Sequence, residues 1–446
     1  MKNIIDELFK FDRNLLGSGY NNALEFINHL IPLDVLDFPS GTKFGTWTVP
    51  EEWIVHEAWV KDPQGNKIAD YQTSPLSLVS YSTPFKGKVS LEELRKHWYY
   101  SDEMPDATPY VFKFYDRDWG FCFPKNLIKK EGEKILEGVR MPDGSDFKQE
   151  YEDKLEEGEY EVFINTEFRP GQVKLGVHTI KGTSDREILL FAHLDHPHQA
   201  NDNLSGVACL VDLAMRLKCE HTIKIVFCPE TIGSLVYALT QDISKVDFMI
   251  AVDAVGNNNT LLLQTAFNQD HKINKVAHLA IQQAGNSFRK GKFRNDRGSD
   301  EYVFNDPLIG IPGLMFTRYP YKEYHTSEDT PDKINYDNIV EVQSIIQKII
   351  EYWEKDYAPE RKLKGQLMRS RYGIQSNNPQ FNLSWDYLWY SMDGKRSVAE
   401  LCANFGLNMD FTLETLEKMY EDGSITKNSW SDAGQKPKPK TARKKH

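Results

Sequence analysis

The central part of the chain alternates short apolar segments with longer amphipathic ones. From residue 185, strand-length segments such as EILLFAHL, TIKIVFCP, DFMIAVDA and IPGLMFT are separated by helix-length segments such as NLSGVACLVDLAMRL. Continuous apolar strands of this kind are usually buried on both faces of a mainly parallel sheet. The pattern therefore predicts an α/β domain in which helices flank a mainly parallel sheet.

Two other patterns precede this region. Residues 1–45 predict one or two helices followed by a short extended segment. From Trp47 onward, β-branched and aromatic residues alternate with polar ones, and the turn signals PQG and SPLS interrupt the alternation. We therefore predict a β-rich domain at 46–157, inserted before the α/β domain at 158–357. Its many Trp and Tyr residues are typical of a β core or of the interface of a homo-oligomer.

A compact helical unit is predicted at 365–430. SVAELCANF begins with Ser397 and Glu400 at the spacing of a capping box, FTLETLEKMYEDG ends at Gly423, and SITK follows as a strand. The unit is predicted to contain three short helices and a hairpin, these segments among them, which suggests a winged-helix domain. The basic segment at 431–446 predicts a disordered tail.

The charge of the chain argues against nucleic-acid binding by this unit. Residues 384–430 include eight acidic and four basic residues, and the whole chain has a formal net charge of -11. Binding to nucleic acid rests on Lys and Arg contacts with phosphates. We therefore predict no nucleic-acid partner and interpret the helical unit as a docking or dimerising module.

The amino-terminal segment MKNIIDELFKFDRNLL carries acidic residues where a signal peptide needs an apolar stretch. No segment approaches the roughly 18 consecutive apolar residues of a membrane-spanning helix. We expect a cytoplasmic protein without a membrane segment. The five cysteines include no CxxC pair, so His and carboxylate side chains are the expected ligands of any metal.

Candidate chemistry is concentrated at the ends of the predicted strands. His193 ends EILLFAH, Glu230 ends TIKIVFCPE and Asp253 ends DFMIAVD. Asp202 lies in the loop after His193, and His325 lies in the loop after IPGLMFT. Because the carboxyl ends of parallel strands meet at one edge of a sheet, where ligands usually bind, we expect these side chains to cluster there.

Imidazoles and carboxylates together are a donor set that suits zinc, whereas a set of oxygen donors alone would have indicated magnesium or calcium. Bound zinc lowers the pKa of its water towards about 7 and polarises a carbonyl group. A glutamate beside the metal can then transfer the proton. The residues therefore predict a zinc-dependent hydrolase.

Six ordered segments resemble the active-site segments of the co-catalytic zinc aminopeptidases. They are HLD at 193–195, ANDNLSG at 200–206, PETIGS at 229–234, VDAVG at 252–256, GSDEYVF at 298–304 and YHTSEDTPDKI at 324–334. The resemblance implies a zinc-exopeptidase-like fold, with residues 1–45 completing the same domain.

The whole layout resembles a narrower group, the aminopeptidase-like proteins of bacterial polysaccharide-biosynthesis clusters. In that group a β-rich domain is inserted near the amino end and a winged helix closes the chain. The segments that carry this resemblance are FPSGTKFGTWTVPEEWIVHEAWVKDPQGNKI, LVSYSTPF, WGFC and ANDNLSG.

The resemblance implies a role for each matched residue. His193, Asp202 and Asp253 would hold one zinc, with Asp202 bridging to a second zinc held by His325. Asp195 would orient the imidazole of His193. The resemblance also implies a cis peptide bond after Asp202.

Two further residues would take part in the reaction itself. Glu230 matches the general base, which takes a proton from the metal-bound water and returns it to the leaving amine. Tyr324 would help to stabilise the oxyanion.

The chain departs from the aminopeptidase pattern after Glu230. The family normally has two adjacent glutamates, the second a zinc ligand, but Thr231 stands here. A neutral hydroxyl is a weak zinc donor. Three outcomes follow: a single zinc at the intact site, a weak second metal completed by water, or Glu230 recruited as a ligand.

Other polar residues near these segments match no ligand position. We interpret His196 and His198 as pocket lining or surface, and Ser299 and Asp300 as support for the pocket. Cys228 lies in the apolar strand segment IVFCP and is expected to be a buried thiol rather than a nucleophile.

The predicted function is hydrolysis of a peptide or of a small amide by a metal-activated water. One alternative is an amide hydrolase that acts on an amino-sugar or glycan precursor, as the narrower resemblance suggests. Another is a zinc-binding scaffold of polysaccharide biosynthesis with little catalytic activity, as the loss of the carboxylate at Thr231 suggests.

Overall fold

The computed structural model describes residues 1–140, 146–285, 287–294 and 297–429. Side chains are not described for residues 131–152. The predicted tail at 431–446 lies outside the described residues.

The chain begins with two helices and an edge strand, as its pattern predicts. They are α1 (Lys2–Leu8), α2 (Ser18–Leu30) and β1 (Asp34–Pro39). On α2, Tyr20, Ala23, Leu24 and Ile27 are buried, so that one face of the helix packs against the core.

The β-rich unit follows and has a sheet of its own. Its elements are β2 (Lys43–Phe44), β3 (Trp47–Thr48), β4 (Glu52–Lys61), β5 (Lys67–Asp70), β6 (Phe85–Ser90), α3 (Leu91–Lys96), β7 (Trp98–Tyr99), β8 (Phe121–Cys122), α4 (Lys125–Ile128), β9 (Lys129–Arg140), β10 (Asp146–Asp153) and β11 (Glu159–Arg169). Strands β5, β4, β11 and β6 form an antiparallel sheet in that order. Aromatic residues such as Trp53, which stacks on Tyr81, fill its separate core.

This sheet extends beyond the boundary predicted at residue 157. Strand β11 lies between β4 and β6 and pairs with both, so the β-rich unit includes residues up to Arg169. This strand belongs to the β-rich unit because buried and exposed residues alternate along EYEVFINTEF. Its buried residues complete the core of the unit.

The α/β region carries the large sheet of the molecule. Its elements are β12 (Gln172–Ile180), β13 (Glu187–His193), α5 (Gly206–Ala214), β14 (Thr222–Cys228), α6 (Ile232–Thr240), β15 (Val246–Val252), β16 (Leu261–Gln264), α7 (Lys272–Ala284), β17 (Phe288–Gly291), α8 (Glu301–Phe304), β18 (Gly313–Thr317) and α9 (Tyr336–Lys355). The eight strands of the sheet are ordered β1-β12-β14-β13-β15-β18-β16-β17.

The centre of this sheet is parallel, which confirms the predicted α/β fold class. Neighbouring strands β14, β13, β15 and β18 run parallel, whereas β1, β12 and β16 pair antiparallel with their neighbours. A hydrophobic core lies on each face of the sheet. Successive residues of β13 are buried in different cores, Leu190 in one and Leu189 in the other. Burial on both faces explains why these strands are continuously apolar.

The last described elements are β19 (Ala358–Arg361), α10 (Pro379–Ser391), α11 (Val398–Phe405), α12 (Met409–Glu421) and β20 (Ile425–Asn428). The three predicted helices are present, and Ser397 and Glu400 form the predicted capping box of α11. Strand β20 pairs with β19 of the connector, which is not the local hairpin that the sequence suggests. The winged-helix assignment and the division into domains therefore stay predictions.

This helical unit packs on the α/β region through a polar contact and a shared apolar core. The ammonium group of Lys272 on α7 lies 3.1 Å from the carboxylate of Asp356, and both side chains are buried. Asp356 also accepts a hydrogen bond from the backbone N–H of Ala399, near the start of α11. In the described part of the chain, no helix combines the length and apolar character needed to cross a membrane.

Candidate metal centre

Three predicted site residues lie at one edge of the large sheet. His193 is the last residue of β13, Asp253 follows β15 directly, and Glu230 lies two residues beyond β14. Because β14 and β15 flank β13 and run parallel to it, the three side chains lie at the same edge. The clustering predicted from the strand ends is thus present in the structure.

Asp202 lies at the middle of the cluster, between two imidazoles. Its Oδ1 lies 2.8 Å from Nε2 of His193, and its Oδ2 lies 3.0 Å from Nε2 of His325. The peptide bond between Asp202 and Asn203 is cis, as the resemblance implies. The structure therefore brings together four predicted metal ligands, since Asp253 adjoins His193.

A third imidazole, that of His196, also lies in the cluster. Its Nδ1 is 3.2 Å from Oδ1 of Asp202, and its Nε2 is 3.6 Å from Oε2 of Glu230. The residue is 5% exposed. The order of the sequence motifs gives no signal for this position, although HLDHPH places His196 only three residues after His193.

His198 behaves differently from His196, although it lies on the same loop. Its Nε2 is 2.9 Å from Oδ1 of Asp12, outside the cluster. The side chain of Asp12 also accepts a hydrogen bond from the hydroxyl of Tyr71, in the β-rich unit.

The loop that presents Asp202 is held by Asp329, from the YHTSEDTPDKI segment. One oxygen of Asp329 accepts a hydrogen bond from the backbone N–H of Asn201 (2.7 Å) and the other from that of Asp202 (3.1 Å). The hydroxyl of Tyr321 donates to the second oxygen. From the other side, the amide oxygen of Asn203 accepts hydrogen bonds from the backbone N–H groups of Gly206 and Ala254.

Glu230 is positioned through its backbone. Its N–H donates to Oδ1 of Asp195 (2.9 Å), and the N–H of Thr231 donates to Oδ1 of Asp300 (3.0 Å). The side chain of Glu230 remains 28% exposed, so that its carboxylate is accessible from solvent. Thr231 has a φ of 55°, in the left-handed region that β-branched residues rarely adopt.

The contact made by Asp195 differs from the predicted one. The resemblance implies that Asp195 orients the ring of His193. In the structure, the carboxylate of Asp195 accepts a hydrogen bond from the backbone N–H of Glu230. The Nδ1 atom of His193 instead lies 3.3 Å from the side-chain amide of Asn203. The orienting role of Asp195 on His193 stays a prediction.

Buried ligand atoms without hydrogen-bond partners indicate that the cluster suits a metal ion. Among the described residues, Oδ1 of Asp253 is buried without a hydrogen-bond partner, and Nδ1 of His196 and Nε2 of His325 are buried close to Asp202 without the alignment of a hydrogen bond. A buried polar atom without a partner costs free energy, so such atoms are rare unless they bind a ligand. Nitrogen and oxygen donors together are the set that zinc accepts.

The shifted pKa values of the buried carboxyl groups in the cluster also indicate that it suits a metal ion. Burial raises the pKa of Asp253 well above its usual value, with the charges of Asp202 and Glu230 adding to the effect. Burial also raises the pKa of Asp300 and of Asp329 to about 7. Several carboxyl groups thus share a dry pocket, where a bound cation would offset their mutual repulsion.

Tyr324 contacts the cluster through its ring rather than its hydroxyl. The ring stacks on that of His325, with centroids 3.9 Å apart. Its hydroxyl oxygen accepts a hydrogen bond from Arg297, whose guanidinium group lies 4.3 Å from the centre of the ring. The predicted role of Tyr324 in binding an oxyanion therefore stays a prediction.

The β-rich unit contributes a residue to the site, which the sequence does not indicate. The backbone N–H of Tyr110 donates to the carbonyl of His325 (2.8 Å), and its ring lies 5.3 Å from that of His325 and 5.5 Å from that of His196. The neighbouring residue Pro109 forms an isolated antiparallel bridge with Thr326. The inserted unit thus covers one side of the imidazole cluster.

A buried arginine from the amino-terminal segment supports the loop that carries His196. The guanidinium group of Arg13 donates to the carbonyl oxygens of Leu194 (2.9 Å), His196 (2.7 Å) and Gln199 (3.0 Å). Arg13 is fully buried. The amino-terminal segment is therefore part of the framework of the site.

The fold has the architecture of solved zinc aminopeptidases. The family model described as a domain of unknown function, DUF4910, matches residues 2–356, and the chain belongs to that family.

Individual relatives agree with this architecture. A Clostridium acetobutylicum protein named as a proposed polysaccharide biosynthesis protein with aminopeptidase-like domain is 28% identical and covers 91% of both chains. The crystal structure of a proposed peptidase from Clostridium acetobutylicum is 26% identical, with a TM-score of 0.78, and covers 96% of this chain and 95% of that one.

A more distant structure shows the fold alone. The zinc aminopeptidase BSAP from Bacillus subtilis is 14% identical, with a TM-score of 0.53, and covers 78% of this chain and 93% of that one. The predicted relationship to aminopeptidase-like proteins of polysaccharide biosynthesis is confirmed, apart from the winged helix.

Proposed function

We propose that this chain is a zinc-dependent hydrolase of aminopeptidase type, which cleaves an amide or peptide bond. One observation carries the proposal: His193, Glu230 and Asp253 place their ligand atoms within 4.8 Å of one another, beside Asp202. Two imidazoles, His193 and His325, lie on opposite oxygens of that aspartate.

His193, Asp202 and Asp253 would hold one zinc ion, and His325 would support a weaker second one. Zinc in such a site activates a water molecule as a nucleophile and polarises the carbonyl that is attacked. Thr231 provides no carboxylate, so we expect a single tightly bound zinc per chain.

Glu230 would act as the general base. Its exposed carboxylate lies beside the metal ligands, and the hydrogen bond from its backbone to Asp195 fixes its position. It would take a proton from the attacking water and return it to the leaving amine. Tyr324 would stabilise the developing oxyanion once its contact with Arg297 is exchanged for one with the substrate.

A second candidate substrate class is favoured by the name of the Clostridium acetobutylicum relative, which refers to polysaccharide biosynthesis. An amide on an amino sugar or glycan precursor presents the same reacting group as a peptide. The same zinc ligands and the same base would serve both substrates. A cytoplasmic location, a homo-oligomeric state and the absence of a nucleic-acid partner stay predictions.

The experiment compares purified, zinc-loaded wild-type protein with the variant Glu230→Gln. Aminoacyl amides and short peptides form one substrate panel, and acylated sugar nucleotides form the other. We expect turnover by the wild type and a loss of about 10²–10⁴-fold in the variant, which is the usual contribution of a general base. Zinc content, measured by mass spectrometry on both proteins, is expected to be equal.

Turnover on only one panel identifies the substrate class. Equal rates for the wild type and for Glu230→Gln on both panels would contradict the proposal and favour a zinc-binding scaffold. Glutamine is a matched substitution because it keeps the size and hydrogen-bonding capacity of the side chain while removing its basicity.

A further inference from the structure

The imidazole of His196 is the feature of the site that the aminopeptidase pattern does not explain. The residue is 5% exposed, and its Nδ1 has no hydrogen-bond partner among the described residues. That nitrogen nevertheless lies 3.2 Å from Oδ1 of Asp202. A buried nitrogen close to a carboxylate, but not aligned for a hydrogen bond, is the arrangement expected when both atoms bind the same cation.

Distances within the cluster support this interpretation. The ligand atoms of His193, His196 and Asp202 all lie within 4.8 Å of one another. Ligands of one zinc ion lie about 2.0–2.2 Å from the metal, so two of them are separated by roughly 3–4 Å. Only small side-chain movements are needed to place the three atoms around one ion.

The backbone holds His196 in this position. Its φ is 69°, in the left-handed region that favours glycine, so this imidazole is kept at a conformational cost. On one side, Arg13 donates a hydrogen bond to the carbonyl oxygen of His196. On another side, the ring of Tyr110 lies against the imidazole of His196. A side chain fixed in this way is pre-organised to bind.

We propose that His196 is an additional ligand of the zinc held by His193 and Asp202, with Nδ1 as the donor atom. The chain thereby adds an imidazole to the zinc site that does not depend on the carboxylate missing at Thr231. With Asp253, which the proposed function assigns to the same zinc, the donors are two imidazoles and two carboxylates, all of types that zinc accepts. The inference rests on the proposed function only in taking zinc as the metal.

Two glycine variants of the full-length chain test the inference. His196→Gly removes the donor without straining the backbone, because glycine adopts a positive φ freely. His198→Gly is the matched control: His198 also has a positive φ, 55°, on the same loop, but its side chain contacts Asp12. Each protein is freed of metal and titrated with Zn²⁺ against a chelating dye, and circular dichroism checks that it is folded.

We expect the zinc affinity of His196→Gly to fall by more than about 100-fold, which is the upper range for losing a residue that only supports a ligand. His198→Gly should bind zinc as the wild type does. Added free imidazole should restore much of the affinity of His196→Gly by occupying the vacated position. Co²⁺ substituted for zinc should show a visible absorption spectrum in the wild type that changes in His196→Gly and returns with imidazole.

The possible results separate this inference from the proposed function. Wild-type affinity in His196→Gly would overturn the inference and leave the proposed function intact. A weakened affinity that imidazole does not restore would also overturn it, because it would assign His196 a structural role. A wild-type protein that binds no zinc would overturn both.

Discussion

The carboxylate of Asp329 accepts a hydrogen bond from the backbone N–H of Asp202, at 3.1 Å. Asp329 thereby holds a predicted metal ligand through its main chain, while the side chain of Asp202 remains directed at His193 and His325. The segment at 324–334, which contains Asp329, thus supports the segment at 200–206, which presents Asp202.

Replacing Asp329 by alanine should weaken zinc binding without removing a ligand. We expect the affinity for Zn²⁺ to fall by about 10–100-fold, as is usual when a residue that supports a metal ligand is lost. Competition with a chelating dye measures the change. Asp332→Ala, an exposed substitution three residues further on, is the control and should bind zinc normally. Equal affinities for the two variants would argue against a role of Asp329 at the metal.

Tyr110→Ala should loosen the cover over the imidazole cluster. The backbone hydrogen bond to His325 survives this change, but the ring beside His196 and His325 is lost. We expect zinc to transfer to a chelator about tenfold faster, because the apolar shell of a metal site controls access to it. Phe112→Ala, which removes a more exposed neighbouring ring, is the control. An unchanged rate in Tyr110→Ala would show that the β-rich unit does not protect the metal.

Thr231→Glu should create a tight second metal site. The substitution adds the carboxylate that the aminopeptidase pattern has at this position, where it would join Asp202 and His325 as a ligand. Backbone strain should not increase, because Thr231 already has a φ of 55° and glutamate is not β-branched. Calorimetric titration should detect two zinc ions per chain instead of one.

Thr231→Gln provides the control, since it has a similar size but no charge. A stoichiometry of one zinc in Thr231→Glu would contradict the view that the missing carboxylate limits the second site.

An ionic cluster at the opposite edge of the sheet should make stability depend on pH. The two ring nitrogens of His221 lie 3.1 Å from Asp247 and 3.2 Å from Glu354. Burial alone would lower the pKa of His221, but these two carboxylates raise it to about 9. Because the folded value exceeds the unfolded value of about 6.5, this contribution is complete below pH 6.5 and is lost as the pH rises through about 9.

Urea unfolding at several pH values between 6 and 9.5 measures this contribution. The wild type should lose free energy of unfolding over this window, and His221→Asn should lose less. If the free energy of unfolding changes with pH by the same amount in both proteins, His221 does not contribute to the pH dependence of stability.

The parts of the site that could be predicted from the sequence are those fixed by strand ends. His193, Glu230 and Asp253 each end a predicted apolar strand, and a parallel sheet brings such ends together whatever the loops do. The position of His196 could not be predicted in the same way, because it depends on a loop with a positive φ that Arg13 holds from the amino-terminal segment.

The same limit applies to the inserted unit. Its alternation predicts a β sheet, but the contact of Tyr110 with His325 joins positions more than 200 residues apart and leaves no periodic signal. The sequence predicts that the insert ends at residue 157, but the next strand, Glu159–Arg169, pairs with two strands of the insert, and such long-range pairing cannot be read from alternation alone.

Zinc is proposed to bind between His193 and Asp202. A crystal of the zinc-loaded protein, with diffraction data collected on both sides of the zinc absorption edge, tests this proposal most directly. We expect an anomalous peak about 2.0–2.2 Å from Nε2 of His193 and from a carboxylate oxygen of Asp202. A map without a peak at these atoms, from a protein folded and exposed to excess zinc, would contradict it.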